Sequence, residues 1–168
     1  TASGYAPAAP DELLEWVKER LMIPGEEWEE LLAAAEGDSS RPRHEIVSPV
    51  RSKLARVIVP GALAEAVVAA ESLPRLQRAL ALEEESRGNE PHHLLPHIVR
   101  LRRGRAEELA EEHDPAAAWL GEWLRFYGPL RKHWIAATLG IDEPRLDDLL
   151  ETLLEMRQVV ADELIEGE

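Results

Sequence analysis

The sequence predicts a mainly α-helical fold with small β elements. Three observations carry that expectation. Apolar residues recur at three- and four-residue spacing in the first forty and the last fifty-five positions. β-branched residues gather in one short window, 44–60. Between these stretches, Pro and Gly fall at regular breaks.

Taken in order, residues Thr1 to Pro10 are small or Pro and read as a linker. Asp11 is placed to cap a helix carrying Leu13, Leu14, Val17 and Leu21. Pro24-Gly25 breaks it. A second helix follows with Trp28, Leu31, Leu32 and Ala35 on one side, and Gly37 is placed to end it. Ile46, Val47 and Val50, then Val57, Ile58 and Val59, predict short strands over 44–60. Ala62 to Ala81 reads as a helix bent near Pro74. Glu83 to Glu90, with Gly88-Asn89, reads as an exposed loop. In the stretch from His92 to Arg105, Pro91 and Pro96 interrupt while Leu94, Leu95, Ile98 and Leu101 suggest helical packing. The domain division is therefore a linker (1–10), a helical region with short strands near 44–60 (11–105), and a C-terminal domain (106–168).

That last domain is the most legible. Asp114-Pro115 starts a helix whose face carries Trp119, Leu120, Trp123, Leu124 and Tyr127, and Gly128-Pro129 stops it. Trp134, Ile135 and Leu139 mark a short helix ended by Gly140. Asp142 caps a third, with a stripe of Leu146, Leu149, Leu150, Leu153 and Leu154. Trp123, Leu149 and Leu153 are expected to be buried together. Val159-Val160 and Leu164-Ile165 around Asp162-Glu163 read as a hairpin. Three helices and a hairpin is the order of a winged helix.

Charge and composition then narrow the function. The 19 Lys and Arg against 33 Asp and Glu leave a net charge of −14. The balance is −8 over 1–40, +5 over 41–105 and −11 over 106–168. A protein that coats nucleic acid indiscriminately is excluded, and only the middle offers phosphate a favourable surface. Cysteine is absent, which removes disulfides, thiol catalysis and Cys-based zinc sites and suits a reducing, cytoplasmic setting. No apolar run approaches the roughly 20 residues of a membrane helix, so no membrane partner is expected. The chain starts at Thr1 without a charged-then-apolar leader and reads as a piece of something longer.

The string Trp123-Leu124-Arg125-Phe126-Tyr127-Gly128-Pro129-Leu130, followed by Ile135-Ala136-Ala137-Thr138-Leu139-Gly140, resembles the winged-helix segment of the large-helicase-related (Lhr) family. These are superfamily 2 ATP-dependent DNA helicases. Asp11 to Leu32, with Trp16-Val17-Lys18-Glu19-Arg20 and Ile23-Pro24, is similar to a second stretch of large members. The resemblance implies a non-catalytic accessory region that braces the motor domains of the same chain or guides a single-stranded or forked DNA. It implies ATP and magnesium for the parent. This chain has neither the Gly-x-x-x-x-Gly-Lys-Ser/Thr loop nor the Asp-Glu-x-His box of such motors, so no cofactor is expected here.

For DNA contact the candidates are Arg51, Lys53 and Arg56, from a basic group that also holds Arg41 and Arg43, and Arg102 and Arg103, from a group with Arg100 and Arg105. The rival reading is a solvated basic face, since no aromatic stands between Arg41 and Arg105 to stack bases. The third C-terminal helix carries Glu143, Asp147, Asp148, Glu151 and Glu155 against Arg145, so it is not expected to read bases. His93 and His97 stand four apart with Pro96 between, a poor metal pair, and no metal or catalytic residue is assigned. Glu107-Glu108 and Glu111-Glu112 read as a solvated acidic face. Trp119, Trp123, Phe126, Tyr127 and Trp134 read as core. Two further functions stay open: a protein-interaction winged helix without DNA binding, and, ranking last, a domain acting on DNA bases. The purified chain should show no ATP turnover. A steady-state phosphate-release assay checks this, and turnover free of contaminating motor contradicts it.

Overall fold

Alternation in two central strands sorts the apolar residues of this chain onto two opposite faces of a sheet. In the computed structural model, which describes residues 6–7, 9–104 and 113–166, strand β2 is Leu54–Ile58 and strand β3 is Ala66–Ala69. Ala55, Val57, Ala66 and Val68 point into one core, and Leu54, Val67 and Ala69 into the other. All four residues of β3 are buried, as expected of a strand covered on both faces.

One helical layer comes from the N-terminal third: α1 (Pro10–Arg20), α2 (Gly25–Ser39) and α3 (Arg43–Val47). It packs Leu13, Val17, Trp28, Leu32, Ile46 and Val47 over Leu54 and Val67. The opposite layer holds α4 (Leu73–Leu80), α5 (His113–Leu124), α6 (Lys132–Leu139) and α7 (Glu143–Glu166). It packs Leu76, Trp119, Trp123, Leu139, Leu146 and Leu149 over Val57, Val68, Val99 and Leu101. The remaining strands are β1 (Ile23–Pro24), β4 (Leu82–Asn89) and β5 (His97–Arg103). The sheet order is β1-β3-β2-β5-β4, with β2 and β5 parallel and the other neighbours antiparallel. The fold is thus mixed α/β. Residues on both sides of the 105/106 division share one core, because Val57 and Val99 pack with Trp123 and Leu146.

Several expectations are corrected. Within 44–60 only Leu54–Ile58 is strand; Arg43–Val47 is helix and Ser48–Lys53 is 3-10. Ile46 and Val47 are both fully buried there, and packing outweighs their β preference. Ala62 to Ala81 is not one helix: Ala66–Ala69 is strand and only Leu73–Leu80, with Pro74 in its first turn, is α-helix. Glu83 to Glu90 is not a loop, since Leu82–Asn89 pairs along β5 as the sheet edge. An edge strand tolerates the charges that suggested a loop, and charge protects such an edge from unwanted pairing. His97–Arg103, read as ambiguous, is strand. Gly37 lies inside α2, which runs to Ser39 and is capped by Ser40 in the left-handed region, φ 56°.

The expected hairpin at the C-terminus is helix, since α7 continues to Glu166. Ala161-Asp162-Glu163 offers none of the Asn-Gly or Gly-x chemistry a two-residue hairpin turn demands, and these residues tolerate helix. The described backbone therefore has no wing after the third helix. Other signals hold. Asp142 Oδ1 accepts the Arg145 backbone N–H at 2.8 Å, capping α7. Trp123 and Leu149 are buried in one cluster, while Leu153 is half-buried and packs against Gly121.

Gly140 ends α6 with φ 68°. A Cβ there would lie 2.2 Å from the Pro60 carbonyl oxygen and 2.8 Å from the Ala62 nitrogen. The Pro60-Gly61 turn therefore seats directly on the end of α6. Two alanine substitutions separate this requirement from ordinary helix propensity. Gly140→Ala should destabilise by about 2 kcal/mol or more, through positive φ and backbone overlap. Gly37→Ala, with nothing within 4 Å of its Cβ position, should stabilise by about 0.5–1 kcal/mol. Urea denaturation of the two variants measures both signs.

Candidate functional site

The five basic residues read as DNA contacts do not form one surface. Arg51 and Lys53 are exposed on the 3-10 segment that leads into β2. Arg102 and Arg103 are exposed at the far end of β5. The parallel register pairs Arg56 with Ile98 and Ile58 with Arg100. At about 3.3 Å per residue, the two groups stand roughly 20 Å or more apart along the strands. Arg102 is also paired to Glu83 at 3.1 Å across the β4–β5 ladder. Arg103 donates to the Pro60 carbonyl oxygen at 3.4 Å.

Arg56 is corrected outright. It is 6% exposed, because its place on β2 turns it to the face that carries Leu54. Its Nε donates to the Leu95 carbonyl oxygen at 3.0 Å, and its guanidinium pairs with Glu90 and, at 3.5 Å, with Glu65. A buried guanidinium holding two carboxylates and a carbonyl is a fastener between strands and loops, not a phosphate contact. Arg105 and the acidic run Glu107, Glu108, Glu111 and Glu112 lie outside the described residues.

The aromatic residues form the best-defined cluster. Trp123 stacks between Trp119 and Trp134, with centroids 5.8 and 5.9 Å away. Tyr127 is tilted against Trp123 and Trp134 at 5.2 and 5.7 Å. Trp119 and Trp123 are core as expected, whereas Tyr127, Trp134 and Phe126 are only half-buried. Three contacts tie this cluster to the N-terminal helices. Trp123 Nε1 donates to the Met22 carbonyl oxygen at 2.8 Å. The Tyr127 hydroxyl donates to Glu27 Oε2 at 2.7 Å. Arg20 lies over the rings of Trp16 and Phe126, at 3.8 and 4.5 Å.

Beside that cluster opens a cleft of about 310 Å³. Its walls are Pro24 at the end of β1, the start of α2 (Gly25, Glu26, Glu27, Glu30), Leu63, Ala64 and Glu65 before β3 with Ala66 at its start, and Trp134 and Thr138 on α6. The Gly25 N–H donates to the Glu65 carbonyl oxygen at 3.0 Å and closes one end. Sequence reasoning did not find this site. Leu63 was absorbed into an expected helix, and Trp134 into the core. The available signal was Glu26 and Glu30, like charges four apart on one helix face.

Burial raises the Glu27 carboxyl above its ordinary range, and Glu30 and Glu26 add to the effect; the Tyr127 hydrogen bond and Arg20 oppose it. Burial and the Glu27 acceptor hold the Tyr127 phenol protonated well above its ordinary range. His93 Nδ1 accepts the Leu95 backbone N–H at 3.0 Å, and no group of three ligating side chains occurs among the described residues. No described helix is long and apolar enough to cross a membrane. Comparison of the chain with protein-family models, with curated proteins and with solved structures gives no match.

Glu27 has a testable pH signature. Its folded pKa is raised above 4.5, so the folded state holds the proton more tightly than the unfolded chain. Stability is therefore lost as pH rises from near 4.5 through the raised value. Glu27→Gln keeps an acceptor for Tyr127 and removes that loss. The variant should match the parent near pH 4 and exceed it at pH 7. Urea unfolding at the two pH values checks this, and equal differences at both contradict it.

Proposed function

We propose that this chain is a non-catalytic accessory region of a DNA helicase of the Lhr type, serving mainly as a brace. One observation carries the reading. The two stretches with family resemblance, 11–32 and 123–140, are about a hundred residues apart yet meet in one interface. The Trp123–Met22 bond, the Tyr127–Glu27 bond and the stacking of Arg20 on Phe126 all join one stretch to the other. Segments that bear a common likeness and also fold against each other are what a retained structural unit requires. Independent regulator-like motifs would have no reason to meet.

The charge arrangement favours protein contact over strand guidance as the main task. Arg43 pairs with Glu29 and Glu36, Arg56 with Glu65 and Glu90, Arg75 with Glu122, Arg87 with Glu84, Arg102 with Glu83 and Lys132 with Asp147. Each such pair cancels a charge that phosphate would need. Arg51 and Lys53, both exposed at the end of the 3-10 segment, are the best remaining strand contacts.

Binding of labelled forked DNA across a salt series tests this. Affinity should be weak. Changing Arg51 and Lys53 together to Ala should flatten the salt slope by about 1.4, at roughly 0.7 per phosphate contact on single strands. Arg56→Ala should instead lower stability by about 1–3 kcal/mol through the stranded Leu95 carbonyl and carboxylates. An unchanged slope in the double variant, with loss of binding in Arg145→Ala, would place the contact face on α7 and overturn the assignment.

A further inference from the structure

The cleft between α2, α6 and the entry to β3 is mostly walled by apolar groups, and its rim is acidic. Pro24, Ala64, Ala66 and the ring of Trp134 supply the walls, and Glu26, Glu27, Glu30 and Glu65 the carboxylates. We propose that it docks a segment of a partner protein in which Lys or Arg stands beside an apolar residue. The inference goes beyond the helicase reading and holds whatever chain this one belongs to.

At about 310 Å³, near the lower end of the roughly 300–1,000 Å³ of ligand pockets, the cleft has room for one long side chain. A Lys or Arg stem lies well on an apolar wall while its charged head stays at a polar rim. The Trp134 ring adds attraction for a cation. Among the described residues no cationic side chain lines the cleft. Glu27 is engaged by Tyr127, and Glu65 by Arg56. Glu26 and Glu30 are exposed and sit one helical turn apart, where their mutual repulsion opposes helix stability. A partner's cation between them converts that repulsion into attraction.

Leu63 supplies the second half of the surface. It is 79% exposed, the most exposed large apolar side chain among the described residues. It does not fold back, because its backbone is fixed. The Leu63 N–H donates to the Ala137 carbonyl oxygen at 3.1 Å, the Ala62 N–H donates to the Val59 carbonyl oxygen at 3.1 Å, and Gly61 packs on Gly140. An apolar side chain held out beside the cleft presents area that an apolar neighbour of the docked cation can cover. Charge complementarity selects the occupant. Phosphate is repelled by the carboxylates of Glu26 and Glu30, and a second copy of a chain with net charge −14 is disfavoured in the same way.

The test uses the intact, isotopically labelled chain and a capped hexapeptide Ala-Leu-Lys-Arg-Leu-Ala, followed by nuclear magnetic resonance. The control peptide has Glu in place of both basic residues. The basic peptide should give saturable shifts at the Trp134 indole N–H and the Leu63 methyl groups, weakening with salt, and the acidic peptide none. Glu26→Gln and Glu30→Gln should each lower affinity by about two- to fivefold. Leu63→Ser should also lower it, whereas Glu151→Gln with Glu155→Gln on α7 should leave it unchanged. Absence of saturable shifts at Trp134 and Leu63, an equal response to the acidic peptide, or an equal loss in the α7 variant overturns the proposal. No nucleic acid or motor enters the measurement, so its failure leaves the helicase reading standing on its own test.

Discussion

The packing of Trp123 is the constraint from which most of this architecture follows. Its ring is fully buried between Trp119 and Trp134, so α5 and α6 cannot shift without opening the core between them. Its indole N–H must find an acceptor there, and it finds the Met22 carbonyl oxygen in the turn after α1. That turn is itself unusual, with Leu21 at φ 65° closing the helix. One side chain thus fixes the relation of the C-terminal helices to the N-terminal ones across the edge of the sheet. Tyr127 and Arg20 repeat the tie at half-buried positions, through the Glu27 carboxylate and the Phe126 ring.

Charge does a second kind of structural work. The chain carries a large excess of carboxylates, and much of its basic complement is used to hold them in particular places. Arg56 fastens β2 to the residues before β5, and Arg43 holds the start of α3 to α2. Arg75 joins α4 to α5 through both guanidinium nitrogens. Such bidentate pairs fix geometry more than they add energy when they are exposed. The acids left over define the electrostatic character of the surface, and at the α2–α6 cleft they are Glu26 and Glu30.

Periodicity made the helices with one apolar stripe legible: α1, α5, α6 and the first half of α7 lie where the leucines and tryptophans placed them. Local capping chemistry was equally readable at Asp142 and Gly140. The sheet was harder to see. Ala66-Val67-Val68-Ala69 is buried on both sides, so it lacks the alternation that marks a strand and merges with an Ala-rich stretch. β4 is charged at four of its eight positions, as an edge tolerates, and its partner β5 joins the rest of the sheet through a parallel pairing with β2 that no local pattern announces. The orientation of Arg56 is hidden from the sequence for the same reason. A sequence shows that Arg56 is charged, but only the sheet shows which way it faces. The cleft joins residues from three distant segments, and none of them is distinctive alone.

The parallel pairing of β2 with β5 also governs when this chain can become a fold at all. Parallel neighbours cannot be joined by a tight turn, and here β3, α4 and β4 all intervene. The sheet stays open until residue 103 is made, and the face holding Val57, Val68 and Val99 is covered only by α4 until α5, α6 and α7 follow. Most of the decisive contacts therefore bridge long loops, whose closure is entropically slow. While this segment has been synthesised only as far as β5, much of that apolar face is still open to its surroundings. Residues 113–149 complete the cover, and products that stop short of them are the species in which aggregation would start.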